Sequence, residues 1–118
     1  MIVVFHYPGC STCRRAIKWL DEQGVDYRAR HIVDEPPTKA ELKRIRKLAD
    51  LPLRKLFNTS GQSYKNGGFK DRLASMSDEE AYAALTADGM LIKRPLLLAE
   101  DGALVGFHAE TWAAHFGG

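Results

Sequence analysis

An α/β architecture built on a mixed sheet is encoded here by three changes of pattern along the chain. Residues 2 to 5, "IVVF", form a continuous β-prone apolar run, as in a strand buried on both faces. From Ser11 to Gln23 the spacing becomes helical. Near the other end, "RPLLLAEDGALVGF" reads as a β-hairpin around Asp101-Gly102.

The elements follow in order. Pro8 and Gly9 break the chain after the first strand. In the helix that follows, Cys13, Ala16, Ile17 and Leu20 fall at i, i+3, i+4 and i+7, and Arg14, Arg15, Lys18, Asp21 and Glu22 take the other side. Gly24 suits the position after the helix C-cap. Val25 to Val33, "VDYRARHIV", reads as a second strand, parallel to the first through a right-handed crossover. Pro36 and Pro37 stop it. Thr38 with Glu41 then forms a capping box for a helix that buries Leu42, Ile45, Leu48 and Ala49. Residues 51 to 76 carry Pro52, Gly61, Gly67 and Gly68 and read as short helical turns and loop, a candidate mobile cover. Ser77 and Glu80 start a further helix ending near Gly89. The hairpin pairs Leu96–Ala99 with Ala103–Phe107, and a last short helix runs from about Ala109 to His115. The order β-α-β, helical insertion, β-β-α describes a thioredoxin-like plan: a four-stranded mixed sheet flanked by helices, with the insertion at about residues 35 to 90.

Size and composition narrow the function classes. At 118 residues the chain is expected to be one domain, residues 1 to 118, with 45% apolar and 27% charged residues. Its net charge of +2 gives little support to direct nucleic-acid binding. "MIVVFHYP" is too short an apolar run for a signal peptide, and "LLLA" is far too short to span a bilayer. A cytoplasmic location with no membrane association is expected. In that compartment a C-x-x-C is catalytic or metal-binding rather than a structural disulfide.

Both cysteines lie in "HYPGCSTCRR". Cys10 is placed in the turn entering the first helix, where unpaired N–H groups favour a thiolate. Arg14 and Arg15, one turn on, are expected to add positive charge, and Cys13 at i+3 to share a hydrogen bond. Cys10 is then the nucleophile. Cys13, on the buried stripe, suits the resolving thiol. Ser11, Thr12 and Arg14 are the candidate substrate contacts beside them. A zinc site needs two more ligands, and His6, His31, His108 and His115 show no pair at the close spacing such sites use. The remaining alternative, two inert core cysteines, is set against the place of Cys10 between Gly9 and Ser11, outside any apolar stripe. No metal and no bound cofactor are expected.

"GMLIKRPLLL" is the second informative segment. Pro95 opens an apolar strand, where a missing N–H is tolerable. In thioredoxin-like folds a cis proline at this point faces the cysteine motif, and the backbone before it offers polar groups to an extended thiol substrate. Arg94 is then a partner for a thiolate or oxyanion; the bland alternative is a solvated arginine beside Lys93.

Together "YPGCSTCRRAIKWL", "EPPTKAEL", "LFNTSG", "MSDEEAYAALTADGMLIKRPLLL" and "LVGF" resemble the arsenate reductase-like (ArsC) family, which includes the ArsC enzymes and the Spx/MgsR-type regulators. The resemblance runs in order over nearly the whole chain. It implies a glutaredoxin-like fold, the family's nucleophile at Cys10 and its proline-preceding arginine at Arg94. Glutathione-dependent arsenate reductases have serine where Cys13 stands, and two further arginines at positions matching Asn58 and about Gly106. Arg54 reaches the same place if its stretch is helical. Two lost charge-assisted contacts, each worth ~1.5–3 kcal/mol, weaken oxyanion binding by roughly two to four orders of magnitude.

Two functions follow from these residues. One is a thiol–disulfide oxidoreductase acting on a small thiol or a disulfide-containing protein, with glutathione or another thiol as reductant; weak arsenate reduction is a variant of it. The other is a redox-sensing regulator binding an RNA polymerase α subunit, for which Lys43, Arg44, Arg46 and Lys47 offer a basic run. Trp19, Trp112, Phe57, Tyr64 and Phe69 read as packing residues; His6 lies close enough to Cys10 to tune it but reads first as a strand-end histidine with an unrelated hydrogen bond.

Overall fold

The computed structural model describes residues 2–117. Its core is a four-stranded sheet in the order β2-β1-β3-β4, with β1 at Val3–His6, β2 at Arg28–His31, β3 at Leu96–Leu98 and β4 at Ala103–Val105. β1 pairs parallel to β2 and antiparallel to β3, and β3 pairs antiparallel to β4. The thioredoxin-like arrangement expected from the sequence is the one observed.

The period-2 alternation of β1 and β3 sorts the core into two layers. Val4 opposes Leu97, and both enter one apolar cluster with Ala16, Leu20 and Trp112. Phe5 opposes Leu96, and both enter the other cluster with Ile32, Leu42, Ile45 and Leu85. The first layer is covered by α1 (Ser11–Glu22) and α6 (Ala109–Gly117). The second is covered by α2 (Lys39–Ala49) and α5 (Asp78–Ala87).

Strand ends differ from expectation for local reasons. β2 starts at Arg28 rather than Val25 because Gly24, at φ +70°, and Val25 donate to Asp21 and Leu20 in a Schellman cap. It stops at His31, whose Nδ1 accepts the Val33 and Asp34 N–H groups at 3.1 Å and turns the chain. β4 stops at Val105 because Gly106 takes φ +74°. Both capping boxes form: Thr38 with Glu41 opens α2, and Ser77 with Glu80 opens α5.

Between α2 and α5 the chain makes a 3-10 turn at Leu53–Leu56, short helices α3 (Gln62–Asn66) and α4 (Phe69–Arg72), and a second 3-10 turn at Leu73–Ser75. Phe57, Tyr64 and Phe69 pack ring on ring, with centroids 5.7 to 6.4 Å apart, and pin this stretch to the core. A bridge from Phe57 to Ile92, with Lys93 N–H donating to Leu56 and Asn58 N–H to Leu91, ties it to the approach to β3. That tie brings Asn58 beside the Arg94 segment.

Candidate active site

Cys10 is the N-cap of α1, in extended conformation (φ −89°, ψ 114°). Its own N–H donates to the Tyr7 carbonyl at 3.0 Å, which folds the turn so that Sγ sits over the helix start. There Sγ accepts the Cys13 N–H at 3.3 Å. No Ser, Thr or Asp caps this helix; a sulfur does, and capping by an anion is what an N-terminus favours. Cys13 lies one turn in, fully buried with Ala16 and Leu20. Both thiols are free.

The two sulfurs have opposite acidities. Partial burial opposes the Cys10 thiolate. The Cys13 thiol, the Cys13 N–H, the Arg94 charge and the Thr12 N–H outweigh it, and Cys10 falls below the ordinary cysteine value. At Cys13 burial dominates, reinforced by its hydrogen bond to Cys10 and by the charge there; main-chain contact with Tyr7 and the Arg94 charge oppose. The Cys13 thiol is pushed up to about 12.

Cys10 opens into a cleft of about 390 Å³. Arg15, Lys93, Arg94 and His108 line it, and among the described residues no carboxylate does. Asn58, Ser60 and Thr12 add hydrogen-bonding groups, with Phe107 as an apolar wall. Gly106 completes the rim; Lys93 Cε stands 3.5 Å from where its Cβ would be. The Trp112 indole N–H donates to the Gly106 carbonyl at 3.0 Å, so the buried aromatic cluster holds that wall. A larger hollow, about 610 Å³, lies elsewhere along α1 and contains neither cysteine.

The residues singled out in the sequence are brought together unevenly. Cys10, Thr12 and Arg94 share the cleft. Arg14, expected beside the sulfur, instead donates to the Pro8 carbonyl at 2.8 Å and lines the larger hollow with His6 and Ile17. The charge that acts on Cys10 is Arg94. Ser11 is exposed at the first position of α1 and does not line the cleft. The Arg94–Pro95 bond is cis; Pro95 is buried, and its carbonyl accepts the Gly106 N–H at 2.8 Å. Arg54 does not reach the cleft: its 3-10 turn places it in a different hollow with Arg46 and Lys70. His6 meets His31 ring to ring at 6.2 Å, and burial and the His31 charge lower its pKa; the groups setting the cysteine acidities do not include it. Lys93, Ser60, Phe107 and His108 went unnoticed as cleft residues, because they converge only through the Phe57–Ile92 bridge and the turn after β4. No group of three or more His, Cys, Asp or Glu residues stands together as a metal site among the described residues. Nor is any described helix long and apolar enough to cross a membrane.

A mixed four-stranded sheet with a reactive-type cysteine capping the helix after its first parallel strand defines a thioredoxin-like α/β protein. Within that class, the family model described as "ArsC family" matches residues 5–115, and the chain belongs to that family. It is 43% identical to the uncharacterized protein YusI of Bacillus subtilis (strain 168), covering 95% of this chain and 98% of that one. It is 43% identical to a possible arsenate reductase of Streptococcus mutans UA159, whose crystal structure superposes with a TM-score of 0.89 over 98% of both chains. It is 27% identical to the global transcriptional regulator Spx 2 of Bacillus anthracis, over 93% of this chain and 82% of that protein.

Proposed function

We propose that this protein is a thiol–disulfide oxidoreductase. The observation that carries the reading is the asymmetry of two thiols one helical turn apart: a half-exposed Cys10 caps α1, its sulfur accepting the Cys13 N–H at 3.3 Å and its pKa lowered, while the Cys13 thiol is fully buried and its pKa raised. The Cys10 thiolate attacks one sulfur of a disulfide substrate, R–S–S–R′. A Cys10–S–S–R bond forms and R′–S⁻ leaves. Forming that bond removes the Cys10 charge and with it one reason for the high Cys13 pKa. Cys13 then loses its proton and attacks Cys10 Sγ, releasing R–S⁻ and closing a Cys10–Cys13 disulfide. Two equivalents of glutathione, or another low-molecular-weight thiol, restore the dithiol and leave as their own disulfide. The acid-free cleft suits a substrate or reductant that carries carboxylates, as glutathione does.

Turnover of a glutathionylated peptide, coupled to glutathione and glutathione reductase, tests the reading. Cys10→Ser should abolish turnover, and Cys13→Ser should keep a slower monothiol route. Turnover of the wild type no faster than the uncatalysed exchange would refute it.

A second reading is favoured by the similarity to Spx 2: a redox-sensing regulator that binds an RNA polymerase α subunit. The basic run on α2 supports it weakly. Lys43 pairs with Glu79, Arg46 with Asp78, and Arg44 donates to the Glu100 carbonyl, so most of that charge is engaged within the molecule. Capture of the α subunit in one redox state and not the other would favour this reading.

A further inference from the structure

We infer that Tyr7 is a positioning residue for Arg94, its ring face fixing the guanidinium in the cleft beside Cys10; this rests on reading Cys10 as the reacting thiol. Arg94 is poorly held by hydrogen bonds. Its Nη1 reaches the Met90 and Ile92 carbonyls at 3.3 Å each, near the long limit, and its Nε is buried without an acceptor. Among the described residues, no carboxylate lines the cleft to anchor it. What remains is the aromatic face: the guanidinium carbon lies 5.3 Å from the centroid of the Tyr7 ring.

The ring is itself fixed. On one side it meets His31 edge to face, with centroids 5.5 Å apart, and His31 is anchored by the Val33 and Asp34 N–H groups at its Nδ1. Gly9 leaves the ring its room, since an added Cβ there would come within 3.0 Å of ring Cε2. The Tyr7 main chain meanwhile accepts from Cys10 N–H and contacts the Cys13 thiol. One residue therefore sets the Cys10 turn with its backbone and the Arg94 charge with its side chain. The other titratable or cationic groups around Cys10 are Cys13, Arg15, Lys93 and His108; His31 faces the ring rather than the sulfur. Among the described residues, the cation that meets the Tyr7 ring face is Arg94.

The test is the rate of Cys10 alkylation by iodoacetamide against pH, with buried Cys13 out of reach of the reagent. Tyr7→Phe keeps the ring face and should leave the midpoint in place. Tyr7→Leu should raise it by up to about 1 pH unit, the low end of what losing one nearby opposite charge does. Arg94→Met should raise it similarly, and adding Tyr7→Leu to Arg94→Met should change nothing further. Tyr7→Met substitutes if the leucine chain does not fold. A low wild-type midpoint left unmoved by Tyr7→Leu overturns this inference alone. So does a full Tyr7 effect persisting in the Arg94→Met background, or an equal shift in Tyr7→Phe. A wild-type midpoint at the free-thiol value overturns the reading of Cys10 and this inference with it.

Discussion

The Cys13 main-chain N–H donates to the Cys10 sulfur at 3.3 Å, while the Cys13 side chain is fully buried on the face of α1 that also buries Ala16 and Leu20. One residue thus stabilises its neighbour's anion with its backbone and hides its own thiol with its side chain. The asymmetry has consequences for stability as well as reactivity.

Cys13 has a folded pKa above its unfolded value, so the folded protein holds that proton more tightly. Its contribution to stability is complete below the unfolded pKa and is lost as pH rises toward about 12. Reduced wild type should therefore lose stability between pH 8.5 and 10.5 more steeply than Cys13→Ala, by at most about 1.4 kcal/mol per pH unit. Urea unfolding at a series of pH values measures the difference. Parallel pH slopes for the two chains would refute the assignment.

Glu41 joins two structures. Its carboxylate accepts the Thr38 N–H at 2.8 Å in the capping box and the Arg30 guanidinium at 2.6 Å. Partial burial opposes its ionisation, but the Thr38 and Arg30 contacts prevail and its pKa is lowered. The stability it gives is present above the unfolded carboxylate pKa and disappears as pH falls through the folded one. Glu41→Gln should flatten the acid limb of the stability curve, and Thr38→Ala should cost about 1 kcal/mol at neutral pH. Thermal melts from pH 3 to 7 read both.

Two glycines should respond differently to alanine. At Gly89 an added Cβ would stand 2.1 Å from the Ile32 carbonyl oxygen, a backbone atom that cannot step aside. Gly89→Ala should cost about 3 kcal/mol or more, or prevent folding. Gly24 has nothing within 4 Å, and only its φ of +70° penalises a side chain. Gly24→Ala should cost about 1 kcal/mol. Comparable melting temperatures for the two variants would contradict the packing described at Ile32.

Trp112→Phe removes the indole N–H that holds the Gly106 carbonyl, while the ring stays in its cluster with Trp19 and Phe107. A loss of roughly 1–3 kcal/mol is expected, from an unpaired buried carbonyl and a smaller ring. Because Gly106 and Phe107 line the cleft, KM for a disulfide substrate should rise more than kcat falls. A change confined to kcat would place the effect elsewhere.

Local signals made the framework legible. The apolar run of β1, the helical stripe of α1, two capping boxes and the Gly24 stop are each written within a few residues, and each element formed where its signal lay. Strand ends were less readable, since Val25 is taken by a helix cap and Gly106 by a positive φ, outcomes that depend on neighbours in space. The guanidiniums were least readable. Arg14 and Arg15 are adjacent in sequence, yet one bonds Pro8 and the other lines the cleft.

The sequence by itself determined the order of elements, the cysteine at the start of α1 and its partner on the buried stripe, because helix periodicity and capping act over three or four residues. Tertiary structure alone decided which charges meet the sulfur. Arg94 and Lys93 stand some eighty residues from Cys10 and arrive through the pairing of β3 with β1; Asn58 arrives through the Phe57–Ile92 bridge. Long flexible cations have no sequence period to fix their direction. What aims them is the packing around them, here an aromatic face, two carbonyls and a cleft without acids.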